Sequence, residues 1–146
     1  MKVSTKGRYG LRIMTELAGK YGSGPVLAET IAKDQEISAK YIHNIVGALK
    51  TAGLVRVSRG RNGGYEITRD PSKITALEVV KVLEGSISPV ECVTAAGRCT
   101  RAGSCVTRGI WSDVAAAISG VLGGVTLQEL AARQKEMDQR NSMYSI

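Results

Sequence analysis

The sequence predicts a mainly α-helical fold (α+β class) in which helices are interrupted by a β-hairpin. Apolar residues recur at helical spacing in segments 4–21, 38–52 and 107–122, and each segment is followed by a glycine. Segments 54–58 and 65–68 alternate apolar and polar residues around a turn rich in glycine and arginine. The order helix, short helix, helix and hairpin predicts a winged helix-turn-helix domain, which a long C-terminal helix follows.

The first predicted helix begins after Ser4, its N-cap, and continues to about Tyr21. Its apolar stripe consists of Leu11, Met14, Leu17, Ala18 and Tyr21. The sequence "YGSGP" then ends it, because glycine and proline do not continue a helix comfortably. A short helix follows near Leu27 to Lys33.

The next helix has clear start and stop signals. Ser38 is its predicted N-cap. The apolar positions follow the spacing i, i+3, i+4, i+7 at Ile42, Ile45, Val46 and Leu49. We expect the helix to end near Ala52, because Gly53 suits a left-handed C-terminal residue and Leu54 the apolar contact of a Schellman motif.

After the hairpin, two sequences are typical of capping boxes. "TALE" at 75–78 predicts a helix through Leu83 that Gly85 ends, and "TLQE" at 126–129 predicts a final, more polar helix. The intervening segment up to Cys105 has no usable period, so we predict an ordered loop there rather than a helix or strand.

The helix at 107–122 has a broad apolar stripe formed by Ile110, Trp111, Val114, Ala117, Ile118, Val121 and Leu122. The stripe could pack against the same subunit or against a second copy of the chain. Winged-helix proteins commonly bind two half-sites as symmetric dimers, and a long terminal helix suits an isologous interface. We therefore predict a homodimer that binds pseudo-palindromic double-stranded DNA.

These elements predict three regions. Residues 1–84 form the winged helix-turn-helix domain, residues 85–106 the cysteine loop, and residues 107–146 the dimerisation helix and the C-terminal helix. Residues 1–70 contain twelve Lys and Arg and six Asp and Glu, a formal charge of +6, whereas the remainder carries +1. The basic half favours a nucleic-acid partner, although a solvated basic face is an equal alternative from charge alone. No apolar run reaches membrane-spanning length, so we expect no membrane partner and a cytoplasmic location.

The predicted DNA-reading face lies at the start of the helix that Ser38 caps, because a recognition helix presents its first turns to the major groove. The candidate residues are Ser38, Ala39, Lys40, His43 and Asn44, with Tyr41 beside them. Asn44 suits adenine, Lys40 suits guanine or phosphate, and neutral His43 can donate or accept one hydrogen bond.

Basic residues on either side extend this predicted surface. Arg59 and Arg61 at the tip of the hairpin suit a minor groove, where negative potential attracts arginine. Further cations assigned to the first helix would follow phosphates: Lys2, Lys6, Arg8 and Arg12.

Cys92, Cys99 and Cys105, in the sequence "ECVTAAGRCTRAGSC", are the three cysteines of the chain. Three thiols among small residues and arginines are compatible with an iron–sulfur cluster, with free redox thiols or with a three-cysteine zinc site. A redox enzyme or cluster carrier is disfavoured, because the sequence has no nucleophile–base pairing, no Walker or dinucleotide motif and one histidine. We therefore predict that the chain is not an enzyme.

The sequences "MKVSTKGRYGLRIMTELA" and "ISAKYIHNIVGALKTAGLVRVSRGRNGGYEITRDPSKITALEVVKVLEG", followed by a cysteine loop and a long helix, resemble the IscR-type regulators. These are winged-helix dimers that sense iron–sulfur status, nitric oxide or cysteine supply. The resemblance covers roughly residues 1–122. It implies that Tyr41, His43 and Asn44 lie on the DNA-reading helix and that Arg59 enters the minor groove. His43 stands where the best-known member has an acidic residue that governs the choice of DNA motif.

The resemblance also implies that the three cysteines bind an iron–sulfur cluster, more plausibly 2Fe–2S than 4Fe–4S, whose state modulates promoter binding. Two departures leave the fourth ligand unassigned: Arg8 and Arg108 stand where other members have an acidic residue and a histidine. Glu91, a hydroxyl or backbone group, a partner side chain, solvent or a small thiol are the candidates. The opening "STKGRYGL" and the "ISPVE" sequence instead resemble the cysteine-metabolism repressor. The alternative is therefore a repressor of cysteine or sulfur metabolism genes that has no obligatory cluster. It would sense thiols or a partner protein, such as an iron–sulfur or cysteine biosynthesis protein.

Overall fold

A computed structural model describes residues 2–145 and confirms the mainly α winged-helix prediction. The helices are α1 (Thr5–Gly19), α2 (Ala28–Gln35), α3 (Ala39–Thr51), α4 (Ala76–Glu84), α5 (Glu91–Thr94), α6 (Val106–Gly123) and α7 (Leu127–Tyr144). The strands are β1 (Val55–Ser58) and β2 (Gly64–Ile67). Single turns of 3-10 helix lie at Pro71–Lys73 and Ala96–Arg98. No helix in the described range is long and apolar enough to span a membrane.

The predicted start of α1 and both predicted ends of α3 are confirmed, whereas α1 ends at Gly19 and not near Tyr21. The Ser4 hydroxyl accepts a hydrogen bond from the amide of Gly7 at 3.0 Å, and Ser38 caps α3 in the same way. At the other end of α3, the amide of Leu54 donates to the carbonyl of Leu49 at 2.9 Å, and the amide of Gly53 donates to Lys50 at 2.9 Å. This is the predicted Schellman motif, with Gly53 at a φ of 76°.

The hairpin pairs β1 and β2 in antiparallel register, from Val55 opposite Ile67 to Ser58 opposite Gly64. Tyr65 in β2 also forms two backbone hydrogen bonds with Val26, each of 2.8 Å, so the segment before α2 adds a short third pairing. Gly64 has a φ of 145°, and a Cβ there would collide with the carbonyl oxygen of Val26. The close approach of these two segments therefore requires glycine.

The core lies between α1, α3, α4 and the inner side of the hairpin. Its fully buried members include Ile13, Met14, Leu17, Ile42, Ile45, Leu49, Leu54, Ile67 and Ile74. The stripe predicted for α3 is buried in full. The stripe predicted for α1 was wrong at Tyr21, which is 50% exposed beyond the end of the helix, and it omitted Ile13, which is fully buried.

Helix α1 packs closely on α4 at two glycines. A Cβ on Gly7 would collide with the carboxylate of Glu84, and a Cβ on Gly10 would collide with the side chain of Leu83. Glu84 accepts hydrogen bonds from the amide of Ser4 at 2.9 Å and from its hydroxyl at 2.5 Å. The end of α4 thereby holds the start of α1.

The start of α7 joins the same core. The amide of Leu127 donates to the carbonyl of Ile74 at 2.9 Å, and the Leu127 side chain is fully buried. The capping box at 126–129 is complete. The one predicted at 75–78 is only half formed, because Thr75 accepts from the amide of Glu78 while the Glu78 carboxylate binds Arg69 instead. The division of the chain into three regions at 84 and 106 stays a prediction.

The cysteine segment was wrongly predicted to contain no regular element, since it forms α5 and a 3-10 turn. A four-residue helix is too short to produce a readable apolar period. No side chain between Gly85 and Cys105 is buried. The segment is thus held by local turns and not by the core.

Helix α6 has the predicted apolar residues but no buried side chain. Val106, Ile110, Trp111 and Val121 are 89%, 61%, 38% and 71% exposed. Although α6 contacts α4, much of its apolar face has no cover within this chain.

Gly64→Ala should lower the free energy of unfolding by about 1–3 kcal/mol, because the added Cβ meets backbone and the positive φ is strained. Gly47→Ala is the matched control. Gly47 lies inside α3 with open space around it, so alanine should raise stability by about 0.5–1 kcal/mol. Urea unfolding measures both, and equal midpoints for the two variants would contradict the assignment.

Candidate nucleic-acid interface and cysteine loop

The structure gives α3 one buried and one exposed side. Its apolar stripe faces the core, whereas Lys40, His43 and Asn44 are exposed. Ser38, also exposed, holds the amide of Tyr41 at 3.2 Å and fixes the first turn of the helix. The predicted readers therefore share one polar face at the positive end of a capped helix, which is the arrangement that suits a nucleic acid.

Tyr41 differs from its neighbours because it is half-buried. Its ring packs edge to face on Tyr9 of α1, with centroids 6.0 Å apart. The guanidinium groups of Arg8 and Arg12 lie 5.8 Å and 5.3 Å from the Tyr9 ring centroid. The edge-to-face contact of two tyrosines thus joins the exposed face of α3 to the basic side of α1.

Of the four cations assigned to the first helix, Lys2 lies outside it and Arg12 lies on it but also has a contact within the protein. Arg12 donates to the side-chain oxygen of Gln35 at 3.0 Å and also to its backbone carbonyl, so its guanidinium ties α1 to the end of α2. Lys2 precedes α1, which begins at Thr5. Lys6 and Arg8 lie on α1 as predicted, half-buried and exposed respectively.

The tip of the hairpin presents Arg59 and Arg61, and both are exposed. Neither forms an ion pair among the described residues, whereas Arg56 on β1 is bound to Glu66 at 2.9 Å. The guanidinium groups of Arg59 and Arg61 are therefore available to bind an external anion.

A contact between the hairpin and α3 was not predicted from the sequence. The hydroxyl of Tyr65 hydrogen-bonds to Nδ1 of His43, and the two rings meet edge to face with centroids 5.8 Å apart. Burial, with a smaller contribution from the charge of Glu29, raises the pKa of Tyr65. The alternation of β2 identifies Tyr65 as inward-facing but does not reveal its partner 22 residues earlier.

The three cysteines lie in different local structures. Cys92 is in α5, Cys99 follows the 3-10 turn, and Cys105 is the N-cap of α6. All three thiols are free and partly exposed. Nε of Arg108 donates to the carbonyl of Cys92 at 3.0 Å, which ties α5 to the first turn of α6.

Cys105 has the most polar surroundings of the three. Its Sγ lies 3.2 Å from the hydroxyl of Thr107. That hydrogen bond, then the amide of Arg108 and more weakly the charge of Arg101, lower the pKa of the Cys105 thiol. Glu91, the candidate fourth ligand, pairs with Arg98 at 3.3 Å.

The residue types in the cysteine loop suit an iron–sulfur cluster, but their positions do not form a metal site. Thiolates are the ligands that such clusters use, and three are present. Within residues 2–145, however, no three His, Cys, Asp or Glu side chains are gathered closely enough to hold a metal ion. The chain has suitable ligands but does not hold them assembled.

Comparison with known proteins gives a family match over most of the chain. The model of a family described as "Rrf2: Iron-dependent Transcriptional regulator" matches residues 3–133. The HTH-type transcriptional regulator CymR of Bacillus subtilis is 42% identical over 132 residues, which cover 90% of this chain and 91% of CymR. The HTH-type transcriptional regulator IscR of Xenorhabdus nematophila is 33% identical over 138 residues, 94% of this chain and 84% of IscR.

Solved structures of a CymR and of an IscR also match the chain. The structure of B. subtilis CymR, described as the global cysteine regulator, matches with a TM-score of 0.77 and 42% identity over 91% of this chain and 98% of that one. The IscR of T. potens matches with a TM-score of 0.76 and 35% identity over 94% and 90% of the two chains.

Arg59→Ala should weaken binding of a specific DNA site by about 1–3 kcal/mol, because the arginine is exposed and free to enter a groove. Lys6→Ala should instead weaken binding about equally on all sequences and lower the salt slope by about one. Fluorescence anisotropy across a salt series measures both effects.

Arg56→Ala is the matched control on the same hairpin, since its charge is already paired with Glu66. It should weaken binding less than Arg59→Ala. Wild-type affinity for Arg59→Ala would refute the assignment of the tip.

Proposed function

The chain belongs to the Rrf2 family of transcriptional regulators, and we propose that it binds promoters as a homodimer controlled by an iron–sulfur cluster on Cys92, Cys99 and Cys105. It is a DNA-binding transcriptional regulator and not an enzyme, as predicted. Its resemblance to the IscR-type regulators is likewise confirmed.

The observation that carries the DNA-binding proposal is the exposed polar face of α3 beside an unpaired arginine tip. Asn44 and Lys40 read base edges in the major groove, and Arg59 enters the adjacent minor groove. Arg8 and Lys6 on α1 bind phosphates and fix the register of the protein on the duplex. Tyr9 and Tyr41 keep α1 and α3 in one orientation while they do so.

Three properties of the loop support the cluster proposal. The thiols are free, the surrounding residues are small, and Arg98 and Arg101 offset the negative charge of a thiolate-bound cluster. The thiols must be drawn together to serve as ligands. Because no side chain between Gly85 and Cys105 is buried, this rearrangement exposes little apolar surface and requires little energy.

A 2Fe–2S cluster is proposed in preference to 4Fe–4S, and its fourth ligand is left open among the candidates given above. Glu91 is the candidate within the loop, and serving as a ligand would break its ion pair with Arg98. That pair is exposed, so its loss would have little effect on stability. When bound, the cluster would supply an oxygen- and redox-sensitive link between three points of the loop.

The contacts of α4 provide a route from the loop to the DNA-binding surface. Glu84, immediately before the loop, holds the amide and hydroxyl of Ser4, and α1 begins there. A change in the loop that moves the end of α4 therefore moves the start of α1, which presents Lys6 and Arg8. At the other end of the loop, α6 would transmit the same change to the second subunit. The spacing of the two winged helix-turn-helix domains would then change.

The second candidate is a regulator without an obligatory cluster. It would sense either thiols or a partner protein, such as a cysteine or iron–sulfur biosynthesis protein. Two observations favour it: the match to CymR, described as the global cysteine regulator, and the separation of the three thiols. It shares the proposed DNA-binding surface and differs only in what the loop or its surroundings bind.

The exposed face of α6 supports the homodimer. Val106, Ile110 and Val121 are more than half exposed, and large apolar side chains grouped on one helix favour burial against another protein. A second copy of α6 would cover them symmetrically.

Protein purified without oxygen should absorb visible light and contain iron, and Cys92→Ala, Cys99→Ala and Cys105→Ala should each reduce both. Mössbauer spectra distinguish 2Fe–2S from 4Fe–4S. Ser104→Ala is the matched control in the same loop and should keep the absorption. A colourless, metal-free wild type that still binds its promoter would reject the cluster and favour the second candidate.

Ile110→Glu should convert the dimer into a monomer, because it places a charge within the exposed apolar face of α6. Leu27→Glu changes the N-cap residue of α2, which is 49% exposed, and should leave the dimer intact. Light scattering at micromolar concentration measures the mass. A monomeric wild type would exclude the homodimer.

A further inference from the structure

His43 is the single histidine of the chain, and its position is fixed by the hairpin. It is exposed on α3 between Lys40 and Asn44, but Nδ1 is hydrogen-bonded to the hydroxyl of Tyr65. The other ring nitrogen, Nε2, forms no hydrogen bond among the described residues. One nitrogen is therefore held by the protein while the other remains available.

Tyr65 is well suited to fix the orientation of the His43 ring, because Tyr65 is itself held in one position. Its side chain is 5% exposed, and its backbone forms two hydrogen bonds of 2.8 Å with Val26 while pairing with Val57 across the hairpin. The hydroxyl of Tyr65 consequently has a fixed position beside α3. Gly64 permits this geometry, since any side chain there would collide with Val26.

The direction of the hydrogen bond follows from the needs of the hydroxyl. Among residues 2–145 its hydrogen-bond partner is Nδ1 of His43. If Nδ1 carried the proton, the hydroxyl proton would lack an acceptor in the protein. Burial and the charge of Glu29 also raise the pKa of Tyr65, so the phenol stays protonated and donates.

We propose that Tyr65 is a positioning residue that holds His43 in its Nε2–H tautomer, so that His43 presents a single hydrogen-bond donor to a base edge. The inference deepens the proposed function and rests on it, because it requires His43 to face DNA.

A fixed donor has a definite preference in the major groove. Guanine O6 and N7, adenine N7 and thymine O4 accept a hydrogen bond, whereas the amino groups of cytosine and adenine donate one. His43 should therefore favour a guanine or thymine edge and disfavour cytosine at its contact position. A histidine free to exchange tautomers would discriminate less, because its second tautomer accepts from those amino groups.

The tautomer can be measured directly because one histidine gives an unambiguous nitrogen spectrum. In protein labelled with ¹⁵N-histidine, Nδ1 should have the shift of an unprotonated nitrogen and Nε2 that of a protonated one. In Tyr65→Phe the two shifts should move towards each other. A protonated Nδ1 in the wild type, or a spectrum that Tyr65→Phe leaves unchanged, would overturn the inference.

The consequence for DNA is tested on a panel of sites that vary one base pair at a time. Tyr65→Phe should reduce discrimination at one position by about three- to tenfold, the effect of one hydrogen bond. Binding to unrelated DNA and its salt dependence should stay unchanged. Tyr21→Phe, which removes the hydroxyl of a half-exposed tyrosine beyond α1, is the matched control and should change nothing.

His43→Ala separates the two possible failures. If His43→Ala leaves every base preference unchanged, His43 does not read DNA and that part of the proposed function fails. If His43→Ala relaxes one position but Tyr65→Phe does not, only the positioning role fails. In the double variant the effect of Tyr65→Phe should disappear, and additive effects would show that Tyr65 acts independently of His43.

Discussion

The arrangement of this molecule depends on the close approach of α1 and α4. Gly7 and Gly10 have no side chains of their own at this contact. The side chains of Glu84 and Leu83 occupy the space that a Cβ on either glycine would need. The short distance allows Glu84 to bind Ser4, which caps the start of α1. Helix α1 in turn supports α3 through the edge-to-face contact of Tyr9 with Tyr41. A larger residue at Gly10 would displace the end of the Leu83 side chain, and one at Gly7 would displace the Glu84 carboxylate that binds Ser4.

Local signals were enough to predict most of the fold. The caps at Ser4 and Ser38, the Schellman motif at Gly53 and the hairpin each depend on residues a few positions apart, so they are legible in the sequence. Contacts between distant residues were not. The approach of Gly7 to Glu84 and the bond between His43 and Tyr65 arise only when separate elements pack, and periodicity does not say which side chains will meet.

The cysteine loop marks the limit of prediction for the site. Spacing and composition predicted three soft ligands, and the arginines at positions 8 and 108 were predicted not to complete a metal site, since arginine does not ligate. The sequence did not reveal that Arg108 would instead bind the carbonyl of Cys92 and fasten α5 to α6. Nor did it reveal that the thiols would lie apart, because a segment without buried side chains has no packing pattern to read.

The absence of buried side chains between Gly85 and Cys105 has an evolutionary consequence. Substitutions in that segment should change the free energy of unfolding little, because they remove no buried contact. The proposed sensing loop can therefore vary in sequence while the winged-helix fold is kept. The same scaffold can in this way be coupled to different signals through changes confined to one short segment.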